Sequence, residues 1–398
     1  MTRSNRPIAI CIIVEDLPVP FDRRVWQEAC ALAEAGYRVS VICRKHPGYM
    51  SSYERLEGID IYRHRVWEAA RPAGYFFEYA AALCAELYLA LKVFGRTRFR
   101  ILHACNPPDT IFLIGIFFKL FGVRFIFDHH DLNPELFEAK FGRKGFLYRL
   151  VCLAERLTFR TATVSIATNE SYREIAIRRG RMRSERVFVV RSCPDLRKIQ
   201  IGPAAPRLKR GKPFLVVYLG TMGPQEGVDL LLESIEHIIK RRNRRDAHYV
   251  LIGGGTDLAG LKALASRKQL DSEVEFTGRI PDPELAAYLS TADVCVAPDP
   301  RNEMNDKSTM NKILQYMAYG KPVVLFDLTE GRRSAAGAAL YAQPNDPADF
   351  AAQILKLLDS ETLRQQLGAR ARRRIEESLN WELEKRTLLD AYQAALTS

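Results

Sequence analysis

Short apolar runs rich in Val, Ile, Leu and Phe alternate with amphipathic stretches along almost the whole chain, and this alternation leaves few folds open. The runs fall at 8–14, 39–43, 59–64, 101–104, 125–127, 164–167 and 187–190, then at 214–218, 247–252, 274–277, 294–297, 322–326 and 339–341. Strands that are apolar on both faces need cover on both faces, and parallel strands need long crossovers, which the stretches between the runs supply. The pattern predicts an α/β chain of doubly wound parallel sheets. At 398 residues the chain exceeds what one core holds, so two domains are expected. Between Ser192-Cys193-Pro194-Asp195 and Lys212, a segment with Pro203, Pro206 and basic residues follows neither period and reads as a linker. The expected parts are an N-terminal domain over 1–195, a C-terminal domain over 213–378 and a last helix over 379–398.

The composition, 47% hydrophobic and 27% charged, is that of a globular chain. A net charge of +12 calls for an anionic partner: nucleic acid, a nucleotide, a diphosphate lipid or an anionic membrane surface. No zinc-finger spacing, RNP-type aromatic motif or helix-turn-helix signature occurs, which weighs against nucleic acid. The cysteines, at 11, 30, 43, 84, 105, 152, 193 and 295, show no metal or redox spacing and read as reduced, mostly buried thiols. Residues 1–6 lead directly into the first run and leave no room for a signal peptide. The apolar stretch 75–93 contains Glu78, Glu86 and Lys92, and the stretch 110–127 contains Lys119, Gly122 and Arg124. Neither is expected to span a membrane, and a cytoplasmic protein is expected.

Residues 305–324 read without a gap as loop, helix, stop and buried strand. Met310, Ile313, Leu314, Met317 and Ala318 make one apolar stripe at helical spacing, with Ser308, Asn311, Lys312 and Gln315 on the other side. Ser308 or Thr309 caps the start, Gly320 ends the helix in the left-handed conformation, and Pro322 prevents continuation. The start of such a helix presents free backbone N–H groups and positive potential, which suits a phosphate.

This segment resembles the donor-binding helix of the retaining, family-four-like (glycosyl transferases group 1) nucleotide-sugar glycosyltransferases of bacterial exopolysaccharide and O-antigen assembly. The likeness runs over nearly the whole chain, through Pro20-Phe21-Asp22-Arg23-Arg24-Val25, Phe127-Asp128-His129-His130-Asp131, Tyr218-Leu219-Gly220-Thr221-Met222, Glu226-Gly227-Val228-Asp229, Ile252-Gly253-Gly254-Gly255 and Phe276-Thr277-Gly278-Arg279-Ile280-Pro281. It implies a GT-B fold, two Rossmann-like domains facing a central cleft, with the last helix crossing back near Asn380-Trp381-Glu382. The N-terminal domain would bind the acceptor and the C-terminal domain the nucleotide sugar, closure assembling the site. The implied reaction moves a hexose-type sugar from a nucleotide diphosphate donor, UDP favoured, to a hydroxyl of a glycan or polyprenyl-diphosphate-linked glycan. No further cofactor and no metal are implied.

Ligands of open parallel sheets bind beyond the carboxyl ends of the strands. Gly220, Thr221 and Gly254 either let backbone approach the donor or are plain tight turns. Arg279 and Ile280 match the segment whose backbone meets the donor base, or form an ordinary strand-to-helix loop. Ser308, Thr309, Asn311, Lys312 and Gln315 are the candidate contacts to phosphate and ribose. The chain departs from the family twice: Thr221 and Glu226 replace an Arg and a Lys on the diphosphate, and Lys307 and Gln315 replace two glutamates. Lys307 and Lys312 either restore the missing charge or are solvated surface lysines. Glu330 resembles the acidic residue near the donor sugar, or caps a turn. His130 takes the place of the family's active-site histidine, and the aspartates flanking the histidine pair favour its imidazolium, while His129 packs locally. His130, Lys307 and Glu330 are thus the catalytic candidates. Asp22, Arg23 and Arg24 are the acceptor-binding ones, the arginines holding a diphosphate or pairing with acids on their own helix.

Two alternatives stand beside the transferase: a nucleotide-sugar epimerase of the same fold, and a catalytically degenerate nucleotide-sugar-binding protein, favoured by Glu226, Lys307 and Gln315. Residues 111–118 are apolar all round a helix, with Lys119, Arg124, Arg143 and Lys144 nearby and Arg178-Arg179-Gly180-Arg181-Met182-Arg183 in the same half. They indicate either peripheral attachment to the anionic inner face of a membrane or a helix buried against the sheet.

Overall fold

A computed structural model describes residues 7–65, 75–142 and 144–398; residues 1–6 and Arg143, named above, lie outside these. The chain divides into two compact units, Met1–Ser192 with Glu384–Ser398, and Cys193–Leu383.

The first unit is built on β1 (Ala9–Val14), β2 (Arg38–Arg44), β3 (Tyr53–Leu56), β4 (Ile59–His64), β5 (Ile101–Cys105), β6 (Arg124–His129), β7 (Val164–Ala167) and β8 (Val187–Val189), in the order β3-β4-β2-β1-β5-β6-β7-β8. All neighbours are parallel except β3 and β4. That hairpin turns at Glu57-Gly58, with φ of 48° and 82°, a two-residue turn whose positive angles match strand twist. β3 was absent from the sequence expectation because Tyr-Glu-Arg-Leu is an edge strand with no buried position, and so has no apolar run to announce it.

The second unit carries β9 (Phe214–Leu219), β10 (Ala247–Ile252), β11 (Val274–Gly278), β12 (Val294–Ala297), β13 (Val323–Phe326) and β14 (Ala339–Ala342), all parallel, in the order β11-β10-β9-β12-β13-β14. Alternation along β9 explains its unbroken apolar run. Leu215 and Val217 join one core with Leu314 and Met317 of the helix Asn311–Ala318, and Val216 and Tyr218 join the other with Leu231 and Phe350. The segment expected as a linker instead packs on this unit: Leu196, Ile199 and Leu208 lie against its core, and the Gly202 and Ala205 amides donate to Ser290 Oγ and Thr291 Oγ1. Side chains at the end of the helix Asp282–Thr291 satisfy backbone that has no ladder of its own.

The last helix, Trp381–Leu396, leaves the second unit and from Glu384 onward belongs to the first. There Glu384 accepts from the Arg191 amide at 2.8 Å, and Tyr392 Oη lies 2.6 Å from His103 Nδ1. The apolar 111–118 segment becomes the helix Phe112–Lys119, with Ile114, Gly115 and Phe118 buried and Leu113 and Ile116 exposed. Half of it therefore covers the sheet. Among the described residues no helix is long and apolar enough to cross a membrane.

Candidate functional site

The second sheet reverses its order between β9 and β12, the point where ligands of such sheets bind. Three loops meet there: the Gly220 amide donates to Ile252 O at 3.0 Å, Met222 N to Gly254 O at 3.0 Å, and Gly253 N to Gly278 O at 2.9 Å. Gly253 has φ +134°, and a Cβ on it would stand 1.8 Å from Gly220 O, so only glycine fits. Gly254 faces open space and Thr221 is exposed.

Beneath this loop lies Lys312, which the sequence placed on the polar side of the helix, facing either a phosphate or solvent. Its side chain is 8% exposed, and Nζ sits 2.7 Å from Asp299 Oδ1, 2.8 Å from Glu226 Oε2 and 4.9 Å from the centre of the Tyr218 ring. Burial opposes the ammonium, but Asp299, Tyr218 and Glu226 overcome it and hold its pKa far up. Lys312 is an internal counter-ion. Its long stem carries the charge inward past Gly220, whose added Cβ would stand 3.2 Å from Lys312 Cε. Asp299 and Tyr218 were not anticipated. The available signal was the carboxylate of Glu226 at a cationic position of the family, matched by a lysine on the helix.

The capping also differs from the expectation. Asn302 caps a short helix, Glu303–Lys307, by accepting from the Met304 and Asn305 amides, and Ser308 Oγ donates back to Met304 O. The helix Asn311–Ala318 starts after Met310 with no side-chain cap, leaving its first N–H groups to solvent or a ligand. Ser308 and Thr309 join the two helices. Asn311 is exposed and Gln315 half-buried, as are Arg279 and Ile280 respectively. Lys307, half-buried, pairs with Glu303 at 2.8 Å. Glu330, in the first turn of Thr329–Ala335, is buried and lies 2.6 Å from Arg333 Nη1.

In the first unit Asp22 caps the helix Arg23–Glu34 by accepting from Val25 N. Arg23 is exposed. Arg24 points inward: Nη2 lies 2.9 Å from Asp128 Oδ1 and 3.0 Å from Glu28 Oε1, and Nη1 donates to Val190 O at 2.8 Å. Its guanidinium is largely buried against two carboxylates, and its Nε lies 3.0 Å from His130 Nε2. His130 Nε2 stands 2.6 Å from Asp128 Oδ2. Burial disfavours the imidazolium, but the Asp128 carboxylate outweighs it and raises the His130 pKa. Asp128, although buried, is held well below the usual carboxylate range by Arg24, His130 and His103. Asn106, which carries no motif, fixes the loop: its Oδ1 accepts from the His130 and Asp131 amides at 2.7 and 3.2 Å.

His129 points the other way, among the rings of Phe127, Phe159 and Tyr172. Burial, with Arg179 nearby, pushes it down to about 3. A histidine whose folded pKa lies below its unfolded value stabilises fully above about 6.5 and loses that stability as pH falls toward 3. Its facing groups are Glu155, 3.8 Å away and pushed up to about 7 by burial, Asp128, His130 and Arg179. His129→Phe should therefore remove about 2 kcal/mol of the stability lost between pH 7.5 and pH 5, read from urea unfolding at the two values. An unchanged pH slope would show that His129 is not the group responsible.

Residues 213–360 match the family model described as glycosyl transferases group 1, and residues 22–193 the one described as glycosyl transferase 4-like domain. The chain belongs to the group 1 glycosyltransferases. A D-inositol 3-phosphate glycosyltransferase of Thermomonospora curvata is 28% identical over 207 residues, covering 49% of this chain and 46% of that protein. The chain thus spans about half the length of the curated relatives it matches. Among solved structures, sucrose-phosphate synthase from Thermosynechococcus elongatus aligns over 98% of this chain and 99% of its own, at TM-score 0.79 and 20% identity. Anabaena Alr3699/HepE in complex with UDP-glucose aligns over 97% and 100%, at TM-score 0.73 and 14% identity. With these neighbours, the two parallel-sheet units of this group 1 glycosyltransferase are those of the GT-B fold.

Proposed function

We propose that this chain is a retaining glycosyltransferase that moves a sugar from a UDP-sugar to a hydroxyl of a glycan or lipid-linked glycan in bacterial surface polysaccharide synthesis. The observation that carries the donor assignment is the uncapped start of Asn311–Ala318 beside the glycine loops at the β9/β12 reversal, where backbone N–H groups meet a diphosphate. Gly220, Thr221 and Gly254 line the approach, Arg279 and Ile280 take the base, and Gln315 takes the ribose. Ser308, Thr309 and Asn311 supply the phosphate end, with Lys307 and Glu330 near the transferred sugar. The HepE structure holds UDP-glucose, which supports a UDP donor. His130, kept cationic by Asp128, stabilises negative charge developing on the leaving diphosphate, and Asp22 and Arg23 contact the acceptor. A lipid-linked acceptor places the enzyme at a membrane surface.

Calorimetry of the full chain with UDP-glucose should show micromolar to millimolar binding, and no heat with any UDP- or GDP-sugar would overturn the donor assignment. His130→Ala should lower turnover about tenfold or more while leaving UDP affinity within about twofold; equal losses in both would make His130 a packing residue. The Glu226–Lys312–Asp299 network favours a second reading, a catalytically degenerate nucleotide-sugar-binding protein, since it neutralises the charge nearest the diphosphate position. UDP-sugar binding with neither donor hydrolysis nor transfer would select it.

A further inference from the structure

We propose that the first unit carries a second anion site, a basic pocket at the amino ends of β6, β7 and β8 that takes phosphate groups. The pocket has a volume of about 630 Å³. Arg124 begins β6, Arg156 and Arg160 come from the helix Phe146–Thr161, and Arg181 and Arg183 from the loop that follows Glu170–Arg178. No acidic side chain lines it. Among the described residues the side chains of these five arginines make no ion pair and no hydrogen bond. Their neighbour Arg179 shows the contrast: it turns inward to Glu135 at 2.8 Å and Glu155 at 2.6 Å, using the carboxylates the pocket lacks.

The walls are held in place. Lys119 Nζ donates to Thr161 O at 2.8 Å, and Arg186 reaches Ala394 O in the last helix. A Cβ on Gly180 would stand 2.5 Å from Ala176 O and 2.6 Å from the Phe159 ring, so the loop bearing Arg181 and Arg183 is pressed onto the helix bearing Arg156 and Arg160. Several guanidiniums with no acidic side chain among them, Ser398 just past the last helix being a further lining residue, repel one another, and a phosphate matches their planar forks in pairs. The site is separate from the candidate reaction centre. His130 follows the carboxyl end of β6 and the pocket surrounds its amino end, which for six residues at about 3.3 Å each is roughly 20 Å.

The helix Phe146–Thr161 adds a hint of the source. Phe146, Leu147, Leu150 and Leu153 make an exposed apolar stripe along it, and Arg149, Arg156 and Arg160 border that stripe. The phosphate of an anionic lipid would find both features; a soluble phosphate ester would use the pocket alone.

The test uses the full chain with UDP present at saturation, so that any nucleotide site is filled. Inorganic pyrophosphate is titrated by calorimetry, and vesicles of phosphatidylglycerol or phosphatidylcholine are used in co-sedimentation. Arg156→Gln/Arg160→Gln/Arg183→Gln should weaken pyrophosphate binding at least tenfold, and Arg183→Glu alone, in a loop, should weaken it several-fold without loss of fold. A control with the same charge change, Arg241→Gln/Arg242→Gln/Arg267→Gln in the second unit, should bind as the parent does. Sedimentation with phosphatidylglycerol only, lost in the pocket variant, identifies a lipid phosphate; pyrophosphate binding without sedimentation identifies a soluble one. Absence of binding in both arms, or equal losses in pocket and control variants, overturns the site.

Discussion

Lys312→Met should destabilise the second unit by about 3–5 kcal/mol, the usual cost of stranding buried charge, and should not act selectively on diphosphate affinity. The substitution keeps the stem and removes the ammonium that lies within 2.8 Å of both Glu226 and Asp299. Asp299 is nearly inaccessible, and burial already raises its pKa against the pull of Lys312. Without Lys312 its folded pKa rises further above the unfolded value, so the variant should recover stability as pH falls and Asp299 takes a proton. Adding Asp299→Asn and Glu226→Gln should restore most of the loss, because neutral groups of the same shape need no counter-ion. Hydrogen exchange at β9 and β12 amides reads the effect in the unit concerned. Unchanged protection together with weaker binding of UDP, but not of uridine, would return Lys312 to the phosphate.

The fold was legible because its signal is repeated. The central parallel strands are covered on both faces, so β9, β12 and β13 announce themselves as unbroken apolar runs, and Gly320 with φ +66° ends its helix where the turn chemistry requires. What escaped was signalled by partners distant in sequence. β3 is defined only by pairing with β4, and the 196–212 segment only by hydroxyls some 86 residues away. The candidate site divides along the same line. His130 beside an aspartate follows from local order. Lys312 and Arg24 do not, since a long cationic side chain near a helix start reads the same whether its charge turns outward to a ligand or inward to carboxylates. Three residues separate Met310 from Ile313, but 86 separate Glu226 from Lys312, and only the second spacing decides the charge.

Arg24 provides the corresponding test in the first unit. Arg24→Met should cost about 3–5 kcal/mol, because it strands Asp128 and Glu28, both fully buried, and abandons Val190 O. Arg24→Lys should rescue little, since one ammonium cannot span both Asp128 oxygens and the Val190 carbonyl as the planar fork does. The pH dependence follows from the carboxylates. In the parent, Asp128 is depressed, so its contribution is complete above its unfolded pKa and fades as pH falls through the folded value. In the variant, burial without the guanidinium raises Asp128, and Glu28, already pushed up to about 7 by burial, rises with it. The variant therefore gains more stability on mild acidification than the parent, and the gap between them should narrow steadily from pH 7.5 to pH 4. His130 titrates in the same sense as a stranded acid: with its raised pKa, its pairing with Asp128 stabilises fully below about 6.5 and is lost as pH rises through the folded value. Arg24 Nε lies 3.0 Å from His130 Nε2 and its charge opposes the imidazolium, so removing it raises His130 further and adds to the narrowing. A constant gap across this range, with acceptor affinity reduced and hydrogen exchange of β6 unchanged, would instead make Arg24 a ligand for the acceptor phosphate.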